Sequence, residues 1–496
     1  MNYRILAKIL GWLMLLMAVA MGVCGVFAWL DPAVEMAGAV KGLFKSAGIT
    51  FAVGVSLALI GWGKFPRVPR REGVMVVGLG WIFAAFFGAL PYLLCPPFLS
   101  LSDAFFESAS GFTTTGSTVI EDLEVWPRGI LLWRAMTQWF GGVGILVLFI
   151  AVLSYLGVGS KSLFRNESSF QVSEAMSSRI RDTAMMILRI YLLISAICLL
   201  VLKGLGLSWF NAVAHTLTLV STGGFSPHNE SIAYYSGWEN GWAIQLWMSF
   251  IMLVCSMNFL LYVLVASRRW QRLRDEEDGW YFIGNSVFFV MVIGVGLIFA
   301  PTGSWDMGRA WHESSFMVIS LASGTGYTNS DHALWPAWCQ AVLMILMLIG
   351  GCSGSTTGGM KMGRMVVFLK SSFQDIVQAF RPNLVFRLRV NGNVIDDNTR
   401  ARIVSFVAFY LFIIAIGAVA VGMLEAGRGI DLETCLGASL ATVCNVGPGF
   451  GDVGPASNYA HLRDPTKWFL GALMILGRLE LFAILVLFVP AAWRKY

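Results

Sequence analysis

The sequence predicts an all-α polytopic membrane protein: two leading transmembrane helices followed by four copies of one helix, loop, helix unit. Three observations carry that prediction. The 496 residues are 57% hydrophobic and only 13% charged, and the mean hydropathy is +0.70, well beyond the apolar share of an ordinary globular domain. Apolar runs of roughly 18 to 25 residues, the length a helix needs to cross a ~30 Å hydrocarbon layer, recur from one end to the other. Four short Gly-centred segments lie between them at intervals of roughly 100 to 120 residues, a period that marks internal repetition.

The leading pair comprises Ile9–Leu30 and a shorter run from about Ile49 to Trp62. Arg4 and Lys8 ahead of the first run imitate a secretory leader. The run is longer than a typical leader core and lacks a small-x-small cleavage site, so it reads as a retained span. With residues 1–65 as the leading pair, the repeats are expected at 66–160, 161–275, 276–395 and 396–496. Their flanking helices are expected at Val74–Leu94 and Gly129–Leu156, Ala184–Val201 and Trp242–Ala266, Trp280–Ala300 and Ala337–Leu369, and Ile403–Met423 and Trp468–Ala492.

Each Gly-centred loop follows a stretch too short to span: Asp103–Gly111, Trp209–Leu219, Trp311–Leu321 and Leu432–Thr442. About ten residues make a helix of about 15 Å, half the bilayer core, so these read as re-entrant helices. Asp103, Asn211, Glu313 and Glu433 near their starts suit the positive end of a helix dipole. The negative ends are then aimed at the loops, where a cation is favoured.

Basic residues such as Lys64, Arg67, Arg165, Arg268, Lys361 and Arg381 fall in alternate loops, and acidic ones such as Glu121, Asp122, Glu230, Asp331 and Asp452 fall in the others. The positive-inside rule therefore places both termini in the cytoplasm and opens the four loops outward, under an acidic mouth that concentrates cations. The net charge of +6 is topology rather than affinity for nucleic acid. All eight cysteines lie in or beside apolar segments with no CxxC spacing, which makes them packing residues.

The four segments are Thr114-Thr115-Gly116-Ser117-Thr118, Ser221-Thr222-Gly223-Gly224-Phe225, Gly324-Thr325-Gly326-Tyr327-Thr328 and Asn445-Val446-Gly447-Pro448-Gly449. Each can be laid on the TVGYG loop that lines potassium-channel filters, where backbone carbonyls replace the water shell of a dehydrated ion. The candidate ligands are Thr114, Thr115, Gly116, Ser221, Thr222, Gly223, Gly324, Thr325, Gly326, Asn445, Val446 and Gly447, the glycines being the residues that let successive carbonyls turn inward. On this alignment Gly224 and Pro448 take the tyrosine position that Tyr327 keeps.

A second run, Gly350-Gly351-Cys352-Ser353-Gly354-Ser355-Thr356-Thr357-Gly358-Gly359, interrupts what should be one continuous helix. Broken backbone at membrane depth survives only inside protein or against water, so this run should face the path of the ion. It is no nucleotide loop, because Met360 follows where Lys would have to stand. Arg478 and Glu480 lie deep in the last apolar helix, where ionisable residues are costly and point to function. Arg134, Gln138 and Arg189 sit nearer helix ends, where snorkelling suffices. The five histidines have no metal-ligand spacing, and no nucleophile elbow or paired-carboxylate signature occurs. No enzyme and no cofactor are expected.

Together, the loops, the interrupted helix and the leading pair resemble the Trk/Ktr/HKT superfamily of cation transporters, and within it the Trk-type membrane subunits, over essentially the whole chain. The resemblance implies four helix-pore loop-helix repeats around one pseudo-fourfold pore, with potassium as substrate where all four filter positions are glycine. It implies a gate at Gly350, Gly351, Ser353, Gly354, Ser355, Thr356, Thr357, Gly358 and Gly359, approached by Arg478. It also implies a homodimer within membrane lipid of the bacterial inner membrane, seated on a ring of nucleotide-binding regulatory subunits of the TrkA type. The basic segment Lys361–Arg402 is the candidate docking surface for that ring. Two transport modes stay open: a channel-like potassium path, and a sodium- or proton-coupled symporter with Glu480 as its acidic candidate at depth.

Overall fold

A computed structural model describes residues 2–31, 37–63, 70–144, 180–266, 268, 274, 276–300, 305–382, 388–478, 486–490 and 493. Glu480, Lys64, Arg67, Arg165 and the expected continuation of the Gly129 helix to Leu156 lie outside the described residues.

Helix α1 (Tyr3–Leu30) and α2 (Ala37–Ile60) form the leading hairpin. The second begins well before the expected Ile49, because Lys41 and Lys45 are exposed and do not interrupt the buried face of Leu43, Ser46 and Thr50. A Cβ on Gly54 would fall 3.1 Å from Gly11 O, so these glycines let the two backbones meet. The next elements are α3 (Arg70–Gly88), α4 (Leu90–Leu94), the half-length α5 (Leu101–Phe112) and α6 (Arg128–Trp139), which runs into a π turn at Phe140–Gly144. The second group is α7 (Ile180–Gly204), half-length α8 (Trp209–Val220), α9 (Gly241–Ser256) and α10 (Phe259–Ala266). The third is α11 (Glu277–Ile298), α12 (Met307–Ala322), α13 (Ala337–Ile349) and α14 (Met362–Phe380). A hairpin of β1 (Arg389–Val390) and β2 (Asn393–Val394) leads to α15 (Asp397–Leu424), half-length α16 (Leu432–Val443) and α17 (Asp464–Arg478).

Among the described residues, six helices are long and apolar enough to span a bilayer, or seven if one bent pair is a single span. Val287, Phe288, Met291 and Val295 on α11, and Phe412, Ile416, Val419 and Met423 on α15, are exposed. Hydrocarbon is the solvent in which such surfaces are stable. This is a polytopic helical membrane protein.

Two departures from the expected elements bear on function. The span read as Trp242–Ala266 bends by 89° between α9 and α10. No Pro or Gly marks that break. The freed backbone is instead satisfied from the segment between α13 and α14: Cys352 N donates to Ser256 O at 2.9 Å and Phe259 N to Gly354 O at 3.2 Å. Broken helix ends away from water need such partners, since an unmet backbone group there costs several kcal/mol. The second departure is the hairpin, whose turn at Asn391 (φ +52°) and Gly392 (φ +73°) follows from an Asn-Gly pair of the kind that favours type I′ turns.

Candidate functional site

The half-length helices start at side-chain caps ahead of the polar residues expected near their starts. Ser100 Oγ accepts from Asp103 N (3.2 Å), Ser208 Oγ from Asn211 N (3.2 Å), Asp306 Oδ1 from Arg309 N (2.6 Å) and Asp431 Oδ1 from Thr434 N (2.8 Å). Asp103, Asn211 and Glu433 lie in the first turn, near the positive end of the dipole as expected. Glu313 sits further in, paired with Arg309 at 2.6 Å.

At the other end the four helices terminate alike. The backbone turns left-handed at Thr114 (φ +52°), Thr222 (φ +53°), Gly324 (φ +65°) and Asn445 (φ +54°), and again at Gly116 (φ +90°), Gly224 (φ +79°), Gly326 (φ +78°) and Gly447 (φ +103°). Between these turns, Thr115 N donates to Ser110 O (2.9 Å), Gly223 N to Thr218 O (2.8 Å), Thr325 N to Ser320 O (2.9 Å) and Val446 N to Ala441 O (3.0 Å). The equivalence corrects the alignment of the second segment by one residue. Gly224, not Gly223, matches Gly116, Gly326 and Gly447; Ser221 is the residue that ends α8, and Phe225 takes the position of Tyr327. The sequence could not choose between adjacent glycines, since only the backbone says which one is left-handed.

The loops close on one another in cyclic order. A Cβ on Gly447 would fall 2.6 Å from Thr115 O, and one on Gly116, Gly224 or Gly326 would collide with the carbonyl oxygen of Gly223, Thr325 or Val446 respectively. First meets second, second meets third, third meets fourth, and fourth meets first. Two side-chain oxygens at the left-handed positions, Thr114 Oγ1 and Asn445 Oδ1, are buried without a hydrogen-bond partner. A ring of crowded, uncharged oxygens can take the place of a cation's hydration shell.

Each loop is braced differently. Gln138 Nε2 donates to Gly223 O at 2.6 Å while its Oε1 accepts from Phe225 N at 3.1 Å, clamping the second loop on both sides of Gly224. Tyr327 reaches from the third loop to Thr218, to His215 Nδ1 at 3.2 Å and to Phe225 O at 3.3 Å. Tyr459 and Ser117 both donate to Gly447 O, at 3.1 and 2.8 Å. Glu107, fully buried in α5, accepts from Thr118 Oγ1 and Val119 N and pairs with Arg134. Arg134 and Gln138 are thus interior residues and do not snorkel. Glu107 and Tyr459 were not singled out by the sequence, although a carboxylate inside an apolar half-helix was the available signal; His215, one of the five histidines, has a structural role through Tyr327 and Tyr235.

The interrupted segment packs against this ring. Thr356 Oγ1 lies 3.2 Å from Thr222 Oγ1 and 3.2 Å from Cys255 O. A Cβ on Gly358 would fall 2.5 Å from Cys444 O and 2.8 Å from Asn445 Cβ. Lys361, read from sequence as a topology-setting surface charge, is buried instead: its Nζ donates to Thr357 O at 2.5 Å and to Thr357 Oγ1 at 3.2 Å. Arg478 Nη2 donates to Gly141 O at 3.0 Å and Gly142 O at 3.4 Å. These described bonds of Arg478 go to the π turn ending α6 rather than to residues 350–359. All eight cysteines are buried and unpaired.

Half-length helices, a closed ring of loops and an apolar exterior define a membrane transport protein. The chain belongs to the TrkH family, described as cation transport proteins, whose model covers residues 66–495; it is a transporter and not an enzyme. It is 32% identical over 506 residues to "Trk system potassium uptake protein TrkH" of Halomonas elongata, covering 100% of both chains. It is 31% identical over 493 residues to "Trk system potassium uptake protein TrkG" of Escherichia coli K12, covering 95% of this chain and 98% of that one. Its structure resembles the crystal structure of the potassium transporter TrkH from Vibrio parahaemolyticus with a TM-score of 0.86 and 29% identity, across 100% of both chains.

Proposed function

We propose that this chain takes up potassium through one central pore, with four repeats arranged around a pseudo-fourfold axis and a filter made by the four loops. The observation that carries this reading is the cyclic contact of each loop's glycine with the carbonyl oxygen before the next loop's glycine. The ligand set is Thr114, Thr115, Gly116; Thr222, Gly223, Gly224; Gly324, Thr325, Gly326; and Asn445, Val446, Gly447. Carbonyl rings favour an ion that binds well enough to enter and weakly enough to leave. The names of the relatives support potassium as that ion.

In this reading residues 350–359 are the gate, since they touch the ring residues Thr222 and Asn445, and Arg478 steadies the adjoining end of α6. The distribution of basic residues supports cytoplasmic termini and loops opening outward in a bacterial inner membrane. The resemblance supports a homodimer and a cytosolic nucleotide-binding partner of the TrkA type, with the exposed part of the segment Lys361–Arg402, Arg381 and Arg389 included but the buried Lys361 not, as its docking surface.

The test is rubidium uptake into vesicles reconstituted with the full chain, with sodium as competitor. Gly116→Ser should lower the preference for rubidium over sodium. An unchanged preference refutes the filter. Uptake that requires a sodium or proton gradient would replace the channel-like path with coupled symport.

A further inference from the structure

Most braces of the ring are uncharged: Gln138 clamps the second loop, Tyr327 ties the third loop to Phe225 O of the second, and Tyr459 donates to Gly447 O of the fourth. The first and second loops meet a buried ion pair, Glu107 Oε1 with Arg134 Nε at 2.5 Å, whose side chains are 0% and 3% exposed. Glu107 belongs to α5 and holds the segment leaving the first loop, accepting from Thr118 Oγ1 at 3.0 Å and Val119 N at 3.1 Å. Arg134 belongs to α6 and holds the segment leaving the second loop. Its Nη1 donates to Ser226 O at 2.9 Å, and its guanidinium carbon lies 3.4 Å from the centre of the Phe225 ring.

We propose that the Glu107–Arg134 pair is a positioning device that fixes the first loop against the second and thereby sets ion discrimination at that half of the ring. This rests on the reading of the four loops as a filter. Burying two charges is expensive in desolvation, and apolar residues of like volume stabilise a fold as well or better. What the pair supplies is direction. A carboxylate and a guanidinium have planar, mutually matched geometry, and each spends its remaining hydrogen bonds on a different loop.

There is also an electrostatic reason for two charges rather than one. A lone guanidinium this close to a cation path would repel the ion, and a lone carboxylate would hold it. The pair leaves the ring's own carbonyls to decide. The arrangement makes the first two loops covalently separate but mechanically one, so a shift of Thr118 is felt at Phe225.

The experiment uses the full chain in vesicles, with rubidium uptake measured against sodium competition for Glu107→Gln, Thr118→Val, the double variant Glu107→Gln/Arg134→Gln, and Gly224→Ser. Glu107→Gln keeps the shape but turns one acceptor oxygen into an NH2 donor and leaves the guanidinium without its counter-charge, and its rubidium-over-sodium preference should fall about tenfold. Thr118→Val leaves the ion pair and the Val119 N bond but removes the hydroxyl's grip on Glu107, and should shift the preference in the same direction. The double variant should be no worse than Glu107→Gln, because the two residues act as a unit. Loss of folded protein lowers total uptake without moving this ratio, so the ratio separates positioning from stability. Wild-type preference in Glu107→Gln and Thr118→Val alongside altered preference in Gly224→Ser overturns the proposal while leaving the filter. Wild-type preference in all of them, Gly224→Ser included, overturns the filter and this proposal with it.

Discussion

The hydroxyl of Thr356 lies 3.2 Å from the hydroxyl of Thr222. One belongs to the interrupted segment between α13 and α14 and the other to the second Gly-centred loop. Residues 350–359 and the ring of loops are therefore in direct contact.

Gly224 and Gly223 should respond differently to the same substitution. At Gly224 (φ +79°) a side chain meets the Thr325 carbonyl, whereas at Gly223 it meets the adjustable side chain of Gln138. Gly224→Ser should change rubidium-over-sodium preference at least about tenfold, roughly 1.4 kcal/mol of discrimination. Gly223→Ser should lose only the Gln138 clamp. Equal effects in competition uptake would return the register to the sequence alignment.

Lys361 closes the interrupted segment on itself through Thr357. Hydrogen bonds from a charged donor contribute roughly 1.5–3 kcal/mol. Lys361→Met should therefore loosen the segment and raise rubidium uptake in the absence of any cytosolic partner by about tenfold or more. Uptake at the wild-type level would show that the segment is held by packing alone.

Arg478 donates to the carbonyls of Gly141 and Gly142 in the π turn at Phe140–Gly144. Arg478→Gln retains one donor and should lower the melting temperature of the purified protein modestly. Arg478→Ala removes both of these hydrogen bonds from a charged donor, at a cost of roughly 1–3 kcal/mol, and should lower it further. Identical melting of both variants and wild type contradicts this role.

Glu276 lies just before α11, where burial, then Asp278 and Glu277, raise its pKa to about 7. Its Oε2 accepts from Asn391 Nδ2 at 3.2 Å; Glu277 binds Lys370 of α14, and Arg274 lines the same cavity of about 480 Å³. A carboxyl whose folded pKa is raised favours the folded state in its protonated form. Its contribution is complete below the ordinary value near 4.5 and is lost as pH rises through about 7. Amide exchange in the 389–394 hairpin, corrected for intrinsic rate, should accelerate between pH 6 and pH 8, about one unit either side of that midpoint. Glu276→Gln should make it independent of pH.

Much of this was legible in the residues themselves. Span length and hydropathy revealed the membrane, and half-length apolar stretches before Gly-rich segments revealed α5, α8, α12 and α16. The glycines and hydroxyl residues of 350–359 revealed the break before Met362. These features are local, and local composition decides whether a backbone can span, turn or break.

Only tertiary structure decided which neighbours those elements would meet. It chose Gly224 over Gly223, because handedness at a glycine depends on what the next loop places beside it. It bent α9 against α10 without Gly or Pro, because the interrupted segment supplied the partners for Ser256 O and Phe259 N. It turned Lys361, Arg134 and Gln138 from surface charges and helix-end residues into buried anchors. The sequence by itself determined the membrane fold and its four Gly-centred loops; the exact pairing and register that join those loops into one ring were left to contacts between residues roughly 100 to 330 positions apart, which local chain pattern does not specify and three-dimensional packing does.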